Sequence, residues 1–304
     1  MAVARAVRER KRTRAGNNVP HRETSTSSRR VLERPGDAGS SPLCVLRGGG
    51  DLATGVAWRL SRAGWPVVVL ELPEPLTIRR TVALSSAVAD GEISVQGMRG
   101  VLARTAGEAA TVAGRGDVAV LVAPTLCGLG PLRADVVVDA RLAKRNIDTS
   151  MGDADVVIGL GPGFTAGTDC HAVVETMRGH RLGRVIWSGS ALADTGAPAE
   201  LGGRSADRVL RAPASGEVVW HAGIGDRVTG GQMLAEVGGA AVSAPFDGVL
   251  RGAISSGATV PEGLKIGDVD PRGDPAACWE ISDKSLAVGG GVLEAVLARR
   301  AGRA

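Results

Sequence analysis

Apolar positions along the chain come as short runs, several followed by a helical stripe or a glycine-rich turn. Leu43 to Leu46 reads as a buried strand that runs into Arg47, Gly48, Gly49, Gly50 and Asp51. Ala53, Val56, Ala57, Leu60 and Ala63 then fall at helical spacing, Gly64 stops the helix, and Val67 to Leu70 with Glu71 at its end is the next strand. The residues from Leu76 to Ala89 read as a helix carrying Arg79 and Arg80. Neighbours on a helix diverge by about 100°, so at most one of these two should face a site. Further strand patterns lie at Ile93 to Val95, Val118 to Val122, Ala134 to Ala140 and Ala154 to Leu160, and a helix is expected to open at Asp169.

This order predicts an α/β fold, a Rossmann-like and mainly parallel sheet whose active loops gather at the strand C-terminal ends. Two loops stand out. Gly48, Gly50 and Ala53 fit a G-x-G-x-x-A fingerprint, with Glu71 placed for a ribose hydroxyl. Asp51 counts against a simple dinucleotide site, because a carboxylate at a helix N-terminus competes with pyrophosphate, and Arg47 falls where the strand should still be buried. The alternative is a turn that only lets the helix pack on the sheet.

The second loop is Gly161 to Gly167, between a strand and the expected helix, a layout that aims backbone N–H groups at an anion. Gly161, Gly163 and Gly167 would cradle it, and Arg141, Lys144 and Arg145, just after Asp139, would add charge. Cys170 in the first helical turn would be favoured as thiolate, a nucleophile or chalcogen carrier, although a small buried residue is its bland reading. Cys170, Lys144 and Asp139 are the catalytic candidates. His171 and Glu175 would share a helix face, with His180 beyond, but the spacing matches no zinc signature and no metal is assigned.

From Arg211 the pattern changes. Ala212, Pro213, Gly216, Val218, Gly225, Val228 and Gly231 recur 32 residues later as Ala244, Pro245, Gly248, Leu250, Gly257, Val260 and Gly263. Two copies of short strands with glycine turns make a small all-β unit like the biotinyl/lipoyl (barrel-sandwich) carriers. A carrier needs a lysine at the hairpin between halves, and Gly238 to Ala241 has none, so docking or structure is the better role. The expected organisation is a disordered basic leader over 1–42, the α/β domain over 43–208, the β module over 209–272, and a C-terminal loop and helix over 273–304 that packs on the first domain. Asp283 and Lys284, beside the glycines at 289 to 291, are placed to close over a ligand or to form a solvated loop.

Charge changes the picture less than it promises. The net charge is +4 and the pI about 9.2, but residues 1–42 hold ten Lys/Arg against four Asp/Glu, which leaves the remainder at −2. That near-neutral body gives no reason to expect nucleic acid binding. No apolar run reaches membrane-spanning length and the leader has no apolar signal segment, so neither membrane nor secretion is expected. Four widely spaced Cys read as free thiols of a cytoplasmic protein. Arg outnumbers Lys eight to one, and beyond the leader only Lys144, Lys265 and Lys284 remain, a pointer to all three.

The segments RGGGDLATGVAWRL, VVDARLAKRN, VIGLGPGFTAGTDCHAVVETMRGHRLGRVIW and ISDKSLAVGGGVLEAVL, with others over about residues 43–301, resemble the YqeB family. That family is described as an accessory protein of the selenium-dependent molybdenum hydroxylase system. The resemblance implies a cytoplasmic maturation factor whose partners are the hydroxylase and its other accessory proteins, and it brings no catalytic assignment. Together with the anion loops it points to a nucleotide or molybdopterin-type cofactor. An NAD(P)-dependent oxidoreductase and a non-catalytic scaffold docking partners through the β module stand as alternatives.

Overall fold

The computed structural model describes residues 42–196, 203–204 and 206–303, which fall in one compact unit over 41–304. The expectation for the leader concerns residues outside this range, apart from Pro42. In chain order the first part contains β1 (Cys44–Arg47), α1 (Asp51–Arg62), β2 (Val67–Glu71), α2 (Ala87–Asp90), β3 (Glu92–Val95), β4 (Met98–Ala103), α3 (Ala106–Gly114), β5 (Val118–Val122), β6 (Val136–Asp139), β7 (Val156–Leu160), β8 (Thr165–Ala166), β9 (Ala172–Val174), β10 (Val185–Ile186) and β11 (Gly189–Ser190). The second part contains β12 (Val209–Arg211), β13 (Gly216–Trp220), β14 (Arg227–Val228), β15 (Met233–Val237), β16 (Ala240–Ser243), β17 (Gly248–Ala253), β18 (Thr259–Val260), β19 (Lys265–Asp270) and α4 (Asp283–Arg300).

Nine strands form one sheet in the order β10-β9-β7-β6-β1-β2-β5-β4-β3. Its middle is parallel, and β3 and β10 close the two edges antiparallel. Strand residues alternate between two cores, as the period of two requires. Leu46, Val69, Val120, Val138 and Ile158 face α1 and α4, while Val45, Val68, Ala119, Val137 and Val157 face α3.

The Rossmann-like core followed by a biotinyl/lipoyl-like module is corrected by this topology. The sheet is mixed, and β6, β7 and β9 follow one another with no α-helix between them. Beyond it lie a two-stranded antiparallel pair, β8 with β11, and two four-stranded antiparallel sheets, β12-β19-β17-β14 and β16-β15-β13-β18. Each four-stranded sheet takes its long strands from one copy of the repeat and a two-residue strand from the other. The β region is not appended to a finished domain. It is spliced in ahead of α4, and α4 returns to cover the large sheet beside α1.

Two helices expected from the pattern are replaced. The stretch Leu76 to Ala89 is an extended loop, two 3₁₀ turns and the start of the single-turn α2. No helix opens at Asp169. Its carboxylate instead accepts the Thr165 N–H (2.8 Å) and a proton of the Asn146 amide (3.1 Å), closing a tight turn. The β-branched Val173 and Val174 then join β7 as a strand. At the other end α4 is longer than the pattern showed, because the glycines at 289 to 291 lie inside it. Ser282 caps it by accepting the Ser285 N–H.

Candidate functional site

The ends of β1, β2 and β6 meet where the parallel sheet predicts. A Cβ on Gly48, at φ +93°, would lie 3.3 Å from the Ala140 and Arg141 backbone, so a side chain there would be strained and tightly crowded. Glu71 does not stand free for a ribose. Its carboxylate accepts the Gly49 N–H and the Leu72 N–H, both at 2.7 Å. Ala53 lies in the core and Gly50 borders open space. Arg47 is buried and paid for by a network, donating to both oxygens of Asp148 (2.6 and 2.8 Å) and to Thr149 (2.8 Å). That contact, with Arg141 beside it, holds the Asp148 carboxyl below its usual range. Asp139, also buried, accepts from Arg141 and from the Thr149 hydroxyl (2.6 Å). Asp139 and Arg141 therefore belong to an ion network under the β6 end.

The Gly161 to Gly167 loop packs against protein at two of its glycines. A Cβ on Gly161 would run into the Thr176 hydroxyl, and one on Gly163 into the Lys144–Arg145 backbone. Gly167 borders open space. Without a helix behind it the loop has no helix dipole to offer an anion, which corrects that expectation. Lys144 itself sits at φ +61° and pairs with Asp194 at 2.5 Å, while Arg145 is exposed.

Cys170 is fully buried in a turn, and burial pushes its thiol up to about 11. The helical position that would favour a thiolate is absent. Of the four cysteines only Cys127 is exposed, so a thiol reagent at neutral pH should modify one site per folded chain. Rapid labelling of Cys170, located by peptide mapping, would contradict this burial. The His171 and Glu175 side chains do not meet on a helix. His171 Nδ1 accepts the Val157 N–H (3.0 Å), and Glu175 accepts the Met177 and Leu192 N–H groups. No metal-binding cluster occurs among the described residues.

The concentration of unsatisfied charge lies next door, in a cleft of about 800 Å³ between the sheet end and the β region. The β region docks there by backbone. Ala253 N donates to Ile78 O (2.8 Å), and Gly252 has no room for a Cβ beside Ile78 and Asp268. Arg79, Lys144, Arg178 and Lys284 line the cleft from the sheet side, and Arg208, Arg211, Arg251 and Lys265 from the β side. Asp51, Asp194 and Asp268 are the carboxylates among its lining residues. Arg251 is aimed by the register shift between Leu250 and Gly252, the usual effect of a bulge.

Several of these cations lack full partners. Arg79 is 7% exposed, yet its Nε and one terminal nitrogen donate to nothing; Asp51 lies 3.6 Å away, beyond a hydrogen bond. The Nε atoms of Arg208 and Arg251 are buried and unsatisfied as well. Buried donors without acceptors cost about 1–3 kcal/mol each, more when charged. Burial pushes the ammonium groups of Lys265 and Lys284 below their ordinary value, and the guanidinium of Arg79 likewise. An anion in the cleft would offset the electrostatic part of this cost, because these side chains line it.

Of the adjacent pair, Arg79 faces the cleft and Arg80 donates to Ala253 O (2.7 Å). All three lysines of the body line the cleft. Arg178, Arg208, Arg211 and Arg251 carried no sequence signal, because the strands that bring them together lie far apart in the chain. Arg178 also grips Asp283 at the start of α4 (2.7 and 2.9 Å), which pulls that carboxyl down to about 2. A depressed carboxyl contributes stability above its ordinary 3.8 and loses it as pH falls through about 2. Asp283→Asn should therefore flatten the acid side of a melting-temperature profile between those values, and an unchanged acid limb would contradict the pairing.

No family model matches the chain. It is 46% identical over 267 residues to "Uncharacterized protein YqeB" of Escherichia coli K12, an alignment that takes in 88% of this chain and 49% of that protein. The chain thus spans about half the length of the curated relative it matches. The resemblance to YqeB is supported along most of the chain, and the relative's name states no activity. Among solved structures, the apo Ectoine utilization protein EutE (DoeB) from Ruegeria pomeroyi is 12% identical with a TM-score of 0.24, covering 76% of this chain and 86% of that one. An aspartoacylase family protein from Mesorhizobium loti has the same identity and score, covering 76% and 85%. Likeness at that level carries no argument.

Proposed function

We propose, taking the likeness to YqeB as premise, that this chain binds a phosphate-bearing small molecule, a nucleotide or molybdopterin-type cofactor, in the basic cleft. It does so as a cytoplasmic accessory protein in the maturation of selenium-dependent molybdenum hydroxylases. The observation that carries the binding reading is the gathering of eight Arg and Lys side chains against three carboxylates around one cleft, with buried guanidinium N–H groups on Arg79, Arg208 and Arg251 that no protein acceptor satisfies. Guanidinium forks match phosphate and carboxylate oxygens alike, and a polyphosphate brings the several negative charges that so many cations call for. No helix among the described residues is long and apolar enough to cross a membrane.

The chain's own residues bind and orient. Arg79 is fixed by donating to the Ala277 and Glu280 carbonyls (2.9 and 3.1 Å), which holds its positive charge at the cleft wall. Arg208 is held by Asp268 (2.9 Å) in the same way. Such preorganisation lowers the ordering cost of binding. The NAD(P)-dependent reading draws on Gly48, Gly50, Ala53 and Glu71, but the turn's own N–H occupies the Glu71 carboxylate.

The test is mass spectrometry of small molecules released on denaturing the purified full chain, combined with calorimetry of sodium tripolyphosphate. A phosphate-bearing compound, or saturable binding at one site per chain, is expected. Neither retained ligand nor saturable binding would overturn the reading. For the maturation role, a strain lacking the gene should lose selenium from its molybdenum hydroxylase, and unchanged selenium content would remove that role.

A further inference from the structure

We propose that the ligand is bipartite, a nucleoside polyphosphate whose planar ring lies in a second, apolar cleft while its phosphates reach the basic one. This rests on the phosphate reading above. The second cleft, about 420 Å³, opens at the ends of β1, β2, β5 and β6 and shares Gly50 and Thr77 with the first. Its size suits a small-molecule site.

Its surface is the more apolar of the two, although Arg47, Glu71 and Arg141 also border it. Leu72, Leu76, Leu142 and Ile147 line it, and each is between 38% and 55% exposed. Solvent-facing apolar side chains gathered around one concavity mark a ligand groove more than chance exposure does. Leu142 is held at φ +55°, a conformation that a bulky residue adopts only when its surroundings impose it. Pro75 and Pro124 add rigid apolar surface. The flat faces of a heteroaromatic ring fit such a cleft.

The passage between the clefts runs past Gly50, where a Cβ would meet nothing within 4 Å. The basic cleft sets the phosphate number. Its eight cations exceed its three lining carboxylates by five, or by four once Asp283, which Arg178 grips, is counted. One phosphate monoester carries roughly −1.5 to −2 at neutral pH, so more than one is needed to balance the excess.

Calorimetry of the full chain with ATP, GTP, CTP and sodium tripolyphosphate tests this. At least one nucleotide should bind ten times more tightly than tripolyphosphate or better. Ile147→Asp and Leu76→Asp, both at exposed positions and checked by melting, should abolish that advantage and leave tripolyphosphate affinity unchanged. Equal affinity for tripolyphosphate and every nucleotide, or nucleotide affinity untouched in both variants, would overturn the bipartite ligand while the phosphate reading stands. If no nucleotide and no tripolyphosphate binds, the phosphate reading itself falls.

Discussion

Lys265→Met should weaken tripolyphosphate binding by roughly 10- to 150-fold and leave the melting temperature of the free protein unchanged or higher. The loss corresponds to a charge-assisted contact of about 1.5–3 kcal/mol, at about 1.4 kcal/mol per decade of affinity. The gain in stability has a separate cause. Burial pushes the Lys265 ammonium below its ordinary 10.5, Asp268 only partly offsets this, and Arg208 and Arg251 add to it. Below its lowered value the folded protein carries a charge that the unfolded chain solvates better. Between that value and 10.5 the unfolded chain holds more protons, so stability rises with pH there. Methionine keeps the length of the side chain and removes that burden, so the alkaline rise should flatten in the variant. A residue kept at a cost to stability is what a binding site requires. Unchanged affinity would remove Lys265 from the site.

Gly289→Val should lower the melting temperature by roughly 6–12 °C, because α1 and α4 cross with their backbones in contact. A Cβ at Gly289 would strike the carbonyl of Gly55, and one at Gly55 the carbonyl of Ser285. These are backbone atoms that cannot rotate aside, so the overpacking cost falls at the upper end of its range, about 3 kcal/mol. For a unit of this size each kcal/mol moves the midpoint by about 2–4 °C. Gly290 is the control. Nothing lies within 4 Å of its Cβ position. Gly290→Ala should therefore stabilise by about 0.5–1 kcal/mol through helix propensity alone. Equal effects at the two positions would show that the crossing is not backbone to backbone. The same crossing explains why three successive glycines read as a loop. Propensity argued for a break, and tertiary contact overrode it.

The strands were legible where apolar runs were unbroken. Val118 to Val122 matches β5 in full, and the β1, β2, β6 and β7 runs differ from their strands by a residue or two at either end. What misled was the polar stretch around Asp169, read as a helix cap when its carboxylate closes a turn, and the stripe from Leu76 to Ala89, whose apolar positions serve a loop and two 3₁₀ turns. The fold class failed for a related reason. The order of strand runs with helical stripes or glycine-rich turns implies a Rossmann-like sheet, whereas here α4, from the far end of the chain, supplies cover for the sheet. The site was half visible. The turn at Gly48 to Gly50 and Arg79 were marked, and the scarcity of lysine pointed at the cleft. Arg178, Arg208 and Arg251 sit in segments whose local pattern shows only a strand or a turn, and nothing local tells a cation facing a cleft from one facing solvent.

The most direct measurement is a crystal structure of the full chain grown with a nucleoside triphosphate or tripolyphosphate. Phosphate density in the basic cleft, against the side chains of Arg79, Arg208, Arg251 and Lys265, is the expected result. Phosphate bound instead at the Gly161 to Gly167 loop, with none in the basic cleft, would contradict that cleft as the binding site.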